Sequence, residues 1–168
     1  MSDQIQEQVK EAQRNILAHL ASYEMAMAEL YAAFAECIPE HRMAWEKMAE
    51  EERGHARMVS GLDAFLARGF LFHNIGRFDV GTMDDHVRAM EQFRKASLMD
   101  GIDISKAGKI ALEAEASILE GGFYQVVESD SREFQIMAKH LSDSTTKHVD
   151  RLREMLSSAG PNRSPPCE

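Results

Sequence analysis

The sequence has 168 residues, of which 44% are hydrophobic and 28% are charged, with ten glycines and four prolines. This composition is typical of one compact soluble domain and excludes collagen-like and disordered chains. The net charge is −9, and the 19 Lys and Arg residues are scattered along the chain, which argues against nucleic acid as a partner. No apolar stretch approaches the roughly 20 residues of a membrane-spanning helix, and no signal peptide is recognisable. We therefore expect a cytoplasmic protein that does not bind membranes.

Helical periodicity dominates the first half of the chain. Apolar residues recur at steps of three and four from residue 3 to about 36 and again from about 40 to 68, with Pro39 in the first turn of the second helix. Residues 69–81 contain three glycines and are predicted to form a crossing loop. Thr82 or Asp84 is then predicted to cap a short helix that runs to about Ser97.

The second half repeats this organisation. Residues 99–103 break the short helix, and Ser105 is predicted to cap a third long helix over about 106–129. A turn at 129–131 leads to a fourth helix over about 132–158, and strand signals are missing from the sequence. Two helical hairpins joined by a long crossover with a short helix predict an all-α four-helix bundle over residues 1–158, followed by a disordered tail over 159–168.

The two hairpins are related by an internal repeat. A shift of 93 residues superposes them without a gap, so that Tyr31 meets Tyr124 and His55 meets His148. The repeat predicts that one hairpin was duplicated and that the bundle has a pseudo-two-fold axis. A ligand bound between the halves would then be held by residues from both.

Polar side chains interrupt the apolar stripes that should face the core. The first helix has Glu24 in its stripe, the second has Glu52 and His55 at i, i+3 on one face, and the fourth has His148. Any one of these residues has an ordinary explanation, such as a Lys partner for a Glu or a backbone carbonyl for a core histidine. Their convergence at one bundle depth favours a metal site instead, because buried carboxylates are otherwise costly. With only two isolated cysteines in the chain, the ligands would be carboxylates and imidazoles, which suit iron, manganese or zinc.

These residues resemble a known family. Glu24 with Tyr31 seven residues later, followed by EERGH at 51–55, is similar to the first half of a rubrerythrin-type domain of the ferritin-like superfamily. EASILEGGFY at 115–124 and HLSDSTTKHVDRL at 140–152 are similar to its second half, so that the resemblance covers about residues 10–158. It implies a di-iron centre in which each hairpin supplies a Glu from its first helix and an ExxH motif from its second.

The second half departs from the family pattern. The shift of 93 places Ser117 opposite Glu24 and Thr145 opposite Glu52, so two expected carboxylates are missing. The resemblance implies that Glu120, one turn after Ser117, takes part instead. Glu113, one turn before Ser117 on the same face, is a further candidate. Glu115 lies two residues off this stripe, about 200° around the helix from Ser117, and is predicted not to be a ligand. The predicted metal ligands are therefore Glu24, Glu52, His55, Glu120, His148 and Glu113, and the resemblance implies that Tyr31 and Tyr124 orient ligand carboxylates through hydrogen bonds.

The expected function is that of a non-haem iron-binding protein that reacts with hydrogen peroxide or dioxygen, in oxidative-stress defence or iron handling. The chain has no paired CxxC motifs, so an external electron donor would be needed. The alternative is a decayed site with a single metal such as zinc, or a purely structural bundle, which the Ser117 and Thr145 replacements favour. Iron storage in a shell of subunits is a further possibility. The resemblance also implies a homodimer, and the apolar residues Phe70, Leu71 and Phe72 would either cover a partner or close one end of the bundle.

Overall fold

The computed structural model describes residues 3–69, 79–120 and 131–158, and within these ranges the chain is helical and has no strand. This confirms the all-α class. Among the described residues, none of the helices has the length and apolar character that crossing a membrane would require. The helices are α1 (Asp3–Cys37), α2 (Arg42–Gly61), α3 (Asp63–Ala67), α4 (Val80–Asp100), α5 (Ile104–Glu120) and α6 (Arg132–Ser158).

The first two predicted helices are present with small changes at their ends. A single 3-10 turn, Pro39–His41, precedes α2, and its proline lies in the first turn as predicted. The predicted second helix is divided near Leu62 into α2 and the short α3. The inner faces of the first two predicted helices are buried from Leu20 to Phe34 in α1 and from Trp45 in α2 to Leu66 in α3.

The crossover helix is longer than expected. We predicted a short helix, but α4 has 21 residues and packs along α1. Its N-cap is Asp79 rather than Thr82 or Asp84, because the Asp79 carboxylate accepts the backbone N–H of Gly81 at 2.9 Å. The helix ends at Asp100, and the next residue, Gly101, has a φ of 75°, a conformation that glycine adopts without strain. The break predicted at residues 99–103 is therefore confirmed.

The third long helix has a different phase from the one predicted. Its N-terminus is capped by Asp103, whose Oδ1 accepts the Lys106 N–H at 2.8 Å, and not by Ser105. The buried face of α5 carries Ala107, Ala111, Glu115 and Ile118. The predicted stripe through residues 110, 113, 117 and 120 is two residues out of register with this face. The fourth helix, α6, has the predicted bounds.

One apolar core collects side chains from all six of these helices. α1 packs against α2 and α4, and α5 packs against α6. Hydrogen bonds connect the two groups: the Tyr23 hydroxyl of α1 donates to the Ala114 carbonyl of α5 at 2.7 Å, and His55 of α2 lies 3.0 Å from the Ser144 hydroxyl of α6. α1, α2, α5 and α6 therefore meet around a common interior. The predictions for the apolar loop at 70–72, the end of the third helix beyond 120 and the tail 159–168 lie outside the described residues.

Candidate metal centre

Five ionisable side chains lie together in this interior. They come from four different helices, and each is at most 3% exposed: Glu24 from α1, Glu52 and His55 from α2, Glu115 from α5 and His148 from α6. Groups of this kind are rarely buried unless they are paired or bind a metal. Their ligand atoms form two overlapping triads, within each of which the atoms lie no more than 4.8 Å from one another.

The first triad consists of Glu24, Glu52 and His55. The i, i+3 spacing places Glu52 and His55 on one face of α2, where His55 Nδ1 lies 2.8 Å from Glu52 Oε2. The same nitrogen lies 3.6 Å from Glu24 Oε2, on the neighbouring helix α1. Two carboxylate oxygens and one imidazole nitrogen therefore face a common point.

The second triad consists of Glu52, Glu115 and His148. His148 Nδ1 lies 2.6 Å from Glu52 Oε1 and 3.0 Å from Glu115 Oε1. Glu52 thus directs one carboxylate oxygen to each triad. The rings of His55 and His148 are stacked with their centroids 5.8 Å apart and an interplanar angle of 28°. The arrangement offers two adjacent sites with a shared carboxylate between them.

A further set of contacts fixes the orientation of these side chains. His148 Nε2 lies 2.8 Å from Glu51 Oε2, and that carboxylate is also paired with the Arg151 guanidinium. The Tyr31 hydroxyl donates to Glu115 Oε1 at 2.6 Å. With the outer nitrogen of the imidazole occupied by a carboxylate, the inner nitrogen remains directed at the triad, an arrangement common around metal-binding histidines.

Without a metal, the cluster retains protons. Burial raises the pKa of Glu24 to about 8. Burial alone would lower the pKa of both histidines, but hydrogen bonds to the carboxylates outweigh it, raising the pKa of His55 to about 10 and that of His148 to about 11. The negative charge of three clustered carboxylates is therefore offset at neutral pH by bound protons, which a cation would displace.

The hydrogen bonding of the cluster is nevertheless incomplete. His148 Nδ1 carries at most one hydrogen, but it faces oxygens of both Glu52 and Glu115. Among the described residues, the buried Glu52 Oε1 has no partner of hydrogen-bond geometry, and its 2.6 Å approach to His148 Nδ1 is an ion pair without an aligned N–H. A cation between these atoms would give that oxygen a better-oriented partner. Three carboxylates with two imidazoles fit iron, manganese or zinc better than calcium, which seldom uses histidine.

Four of the predicted ligands are brought together, namely Glu24, Glu52, His55 and His148. Glu113 is exposed on α5 and takes no part in the cluster. Its prediction depended on the incorrect phase of that helix. The side chains of the two other predicted residues, Glu120 and Tyr124, lie outside the described residues.

Glu115 belongs to the cluster, although the sequence pattern predicts that it is not a ligand. It is 2% exposed and contacts both His148 and Tyr31. The error came from the ungapped repeat: Glu115 follows Glu24 by 91 residues, whereas His148 follows His55 by 93. A difference of two residues turns a helix by about 200°, which moved Glu115 to the wrong side. The small residues Ala111 and Ala107, four and eight positions before Glu115, were the available signal for the correct face.

Thr145 and Ser117, the residues at the two replaced positions, use their hydroxyls for hydrogen bonds within their own helices. Thr145 is buried one turn before His148, where its hydroxyl donates to the Leu141 carbonyl at 3.0 Å. The Ser117 hydroxyl donates to the backbone carbonyl of Glu113 at 2.7 Å. Among the described residues, Glu115 is the α5 residue that brings a carboxylate to the cluster.

The described residues thus form an all-helical structure with a buried Glu and His cluster that could hold a metal ion. A scan against models of protein families, a search of curated proteins and a search of solved structures found no match to this chain.

Proposed function

We propose that the protein is a rubrerythrin-like, non-haem di-iron protein of the ferritin-like kind, and that it reacts with hydrogen peroxide or dioxygen. The observation that carries this proposal is the position of Glu52, whose two carboxylate oxygens face two different triads. A carboxylate shared in this way is suited to hold two cations side by side.

The repeated pairing of ligands supports a duplicated bundle. On the first hairpin, Glu24 faces His55, and on the second, Glu115 faces His148. Each pair joins the first helix of a hairpin to its second. The same arrangement on both sides of Glu52 is what two copies of one hairpin around a pseudo-two-fold axis would produce.

The side chains of this chain have distinct roles in the proposal. Glu24 and His55 would hold one cation and Glu115 and His148 the other, and Glu52 would offer one carboxylate oxygen to each. Ferrous iron held there would supply electrons for the reduction of peroxide or dioxygen. Tyr31 fixes the orientation of the Glu115 carboxylate through its 2.6 Å hydrogen bond. The surrounding apolar core excludes bulk water from the cluster, and an external donor restores the electrons after each turnover.

Metal content and peroxide consumption, measured on the same preparations, test this function. The protein is purified without chelator, reconstituted anaerobically with Fe(II) and analysed for iron per chain, together with Glu52→Ala and Glu50→Ala. Glu50 is a suitable control because it is an exposed neighbour of Glu52 that pairs only with surface arginines in the described structure. We expect about two irons per chain and peroxide-dependent oxidation in the wild type and in Glu50→Ala, as the two-triad geometry implies.

The same experiment has outcomes that oppose the proposal. Glu52→Ala should lose both irons, because the shared carboxylate serves both triads. Retention of iron in that variant would place the metal elsewhere. Two tightly bound irons that do not react with peroxide or dioxygen would leave a metal centre but refute the proposed reaction.

A single-metal or structural role is the second candidate, and Thr145 favours it. A carboxylate at this position would complete the symmetry of the centre, but the threonine hydroxyl donates to its own helix instead. With three carboxylates for two cations, one triad would bind more weakly than the other. One equivalent of zinc per chain, with no reaction with peroxide after incubation with iron, would support this candidate.

A further inference from the structure

The two histidines of the centre differ in what their outer nitrogens contact. His148 is fully buried, and its Nε2 lies 2.8 Å from a carboxylate of Glu51 that is itself paired with Arg151. The Nε2 of His55 meets a neutral group instead, the hydroxyl of Ser144 at 3.0 Å. The outer nitrogen of His148 therefore contacts an ion pair, whereas the outer nitrogen of His55 contacts a hydroxyl.

The Ser144 side of the cluster leads to the surface of α6. Ser144 is half-buried, and His140, one turn earlier on the same helix, is exposed. The His140 ring lies edge-on to the ring of His55, with 6.4 Å between the centroids and an interplanar angle of 85°. An exposed imidazole thus lies edge-on to a buried one, whose outer nitrogen contacts the Ser144 hydroxyl.

We infer that His140 and Ser144 form the entry site through which a divalent transition-metal cation reaches the His55 triad. The inference rests on the proposed metal-binding function. An imidazole and a hydroxyl at the surface capture a partly hydrated cation, and the adjacent His55 accepts it into the buried cluster. The ligand is a borderline cation such as Fe²⁺, Mn²⁺, Co²⁺ or Zn²⁺, since imidazole has little affinity for Mg²⁺ or Ca²⁺.

The contacts of the two histidines favour this side over the other. Entry past Glu51 would have to break its ion pair with the Arg151 guanidinium. Entry on the Ser144 side displaces only a hydroxyl from the His55 Nε2, and there the cation of Lys139 is paired with Asp143, whose Oδ2 lies 2.7 Å from Nζ.

Removal of an entry site and removal of a metal ligand have different effects on the rates and the affinity of metal binding. It lowers the barrier in both directions, so its removal slows binding and release by the same factor and leaves the equilibrium affinity unchanged. Loss of a true ligand would weaken the affinity. The single tryptophan, Trp45, reports arrival at the centre because its ring lies 5.5 Å from that of Tyr31, which contacts Glu115.

The test is stopped-flow quenching of Trp45 fluorescence by Co²⁺ in the full-length protein, with release measured after mixing with excess chelator. His140→Ala is compared with the wild type and with His41→Ala. His41 precedes His55 by 14 residues, which is about 20 Å along the helix axis. In His140→Ala we expect both rate constants to fall roughly tenfold, a typical contribution of local ligand concentration to association. The dissociation constant and the Co²⁺ stoichiometry should stay at the wild-type values, and His41→Ala should behave as the wild type.

The opposing outcomes are distinct. Unchanged rates in His140→Ala would refute the entry site while leaving the metal centre intact. A weaker affinity with an unchanged association rate would make His140 a ligand and would also overturn the inference. If the wild type binds no Co²⁺ at all, the metal centre itself is refuted, and the entry site with it.

Discussion

Removal of the Tyr31 hydroxyl is expected to weaken both the fold and the metal centre. Tyr31 is completely buried and donates to Glu115 Oε1 at 2.6 Å, and burial among the carboxylates raises its pKa well above the ordinary value, so the hydroxyl keeps its proton. Tyr23 provides a matched comparison, because its equally buried hydroxyl donates to the neutral Ala114 carbonyl at 2.7 Å. Both Tyr→Phe changes remove one oxygen atom and leave the ring in place.

The magnitudes follow from the two acceptors. Hydrogen bonds to charged groups contribute about 1.5–3 kcal/mol and neutral ones about 0.5–1.5 kcal/mol. Because His148 also lies 3.0 Å from Glu115 Oε1, that oxygen keeps a partner in Tyr31→Phe. We therefore expect a loss of about 1.5–2 kcal/mol in the free energy of unfolding for Tyr31→Phe and about 1 kcal/mol for Tyr23→Phe.

Metal affinity separates the two variants more clearly. Tyr31 orients a proposed ligand, so Tyr31→Phe should weaken metal binding by about 10- to 100-fold, as loss of such outer contacts typically does. Tyr23→Phe should leave the affinity unchanged, since its hydroxyl donates to a backbone carbonyl and not to a proposed ligand. Urea unfolding of the metal-free proteins and Co²⁺ titration provide the two measurements. Equal affinities in the two variants would refute the assignment of Tyr31 as a positioning residue for Glu115.

Three other perturbations test the same geometry. Glu115→Gln should reduce the metal content from two ions per chain to one by elemental analysis, and Glu113→Gln, on the exposed face, should leave it unchanged. Glu51→Gln should weaken Co²⁺ binding by about 10- to 100-fold through loss of the contact to His148, whereas Glu50→Gln should not. For the metal-free protein, the raised pKa values of the two histidines, about 10 and 11 against 6.5, mean that folding binds protons: this stabilisation is complete below about pH 6.5 and is lost as the pH rises toward 10. Chemical unfolding at pH 7 and pH 9.5 should therefore show a lower free energy at the higher pH, and saturating metal should reduce the difference.

The first hairpin could be predicted in detail because its residues leave little choice of phase. Large apolar side chains such as Phe34 and Trp45 lie on one face of each helix, and the polar exceptions Glu24, Glu52 and His55 lie in the same stripes. Only one orientation buries all of these large side chains, and it is the orientation that the structure has. The metal-binding hypothesis for this half followed directly.

The phase of α5 could not be predicted in the same way. Its apolar residues are mostly small or distributed around the helix, with Ala107 and Ala111 on the buried face and Ile110 and Leu112 only partly buried. Several rotations of such a helix bury similar apolar areas, so the rotation depends on packing against α6. One such constraint is Gly108, where a Cβ atom would come within 2.7 Å of Leu156 Cδ2. The ungapped repeat predicts the wrong rotation of α5, and for that reason Glu115 was not predicted as a ligand.

The contacts of the outer nitrogen of His148 could not be predicted from the sequence either. Glu51 precedes Glu52 and resembles an ordinary exposed residue of α2, and Arg151 resembles one of α6. Their pairing with each other and with His148 depends on how α2 and α6 approach, which local patterning does not specify. The cap of α4 at Asp79 was missed for a simpler reason, because Thr82 and Asp84 are equally good capping residues by type.

The most direct test of the account is the anomalous diffraction of crystals loaded with Fe²⁺ or Co²⁺, recorded at the absorption edge of the metal. We expect two peaks, one within the triad of Glu24, Glu52 and His55 and one within the triad of Glu52, Glu115 and His148. A single peak, a peak at Glu113, or no peak in this interior would contradict the shared role of Glu52.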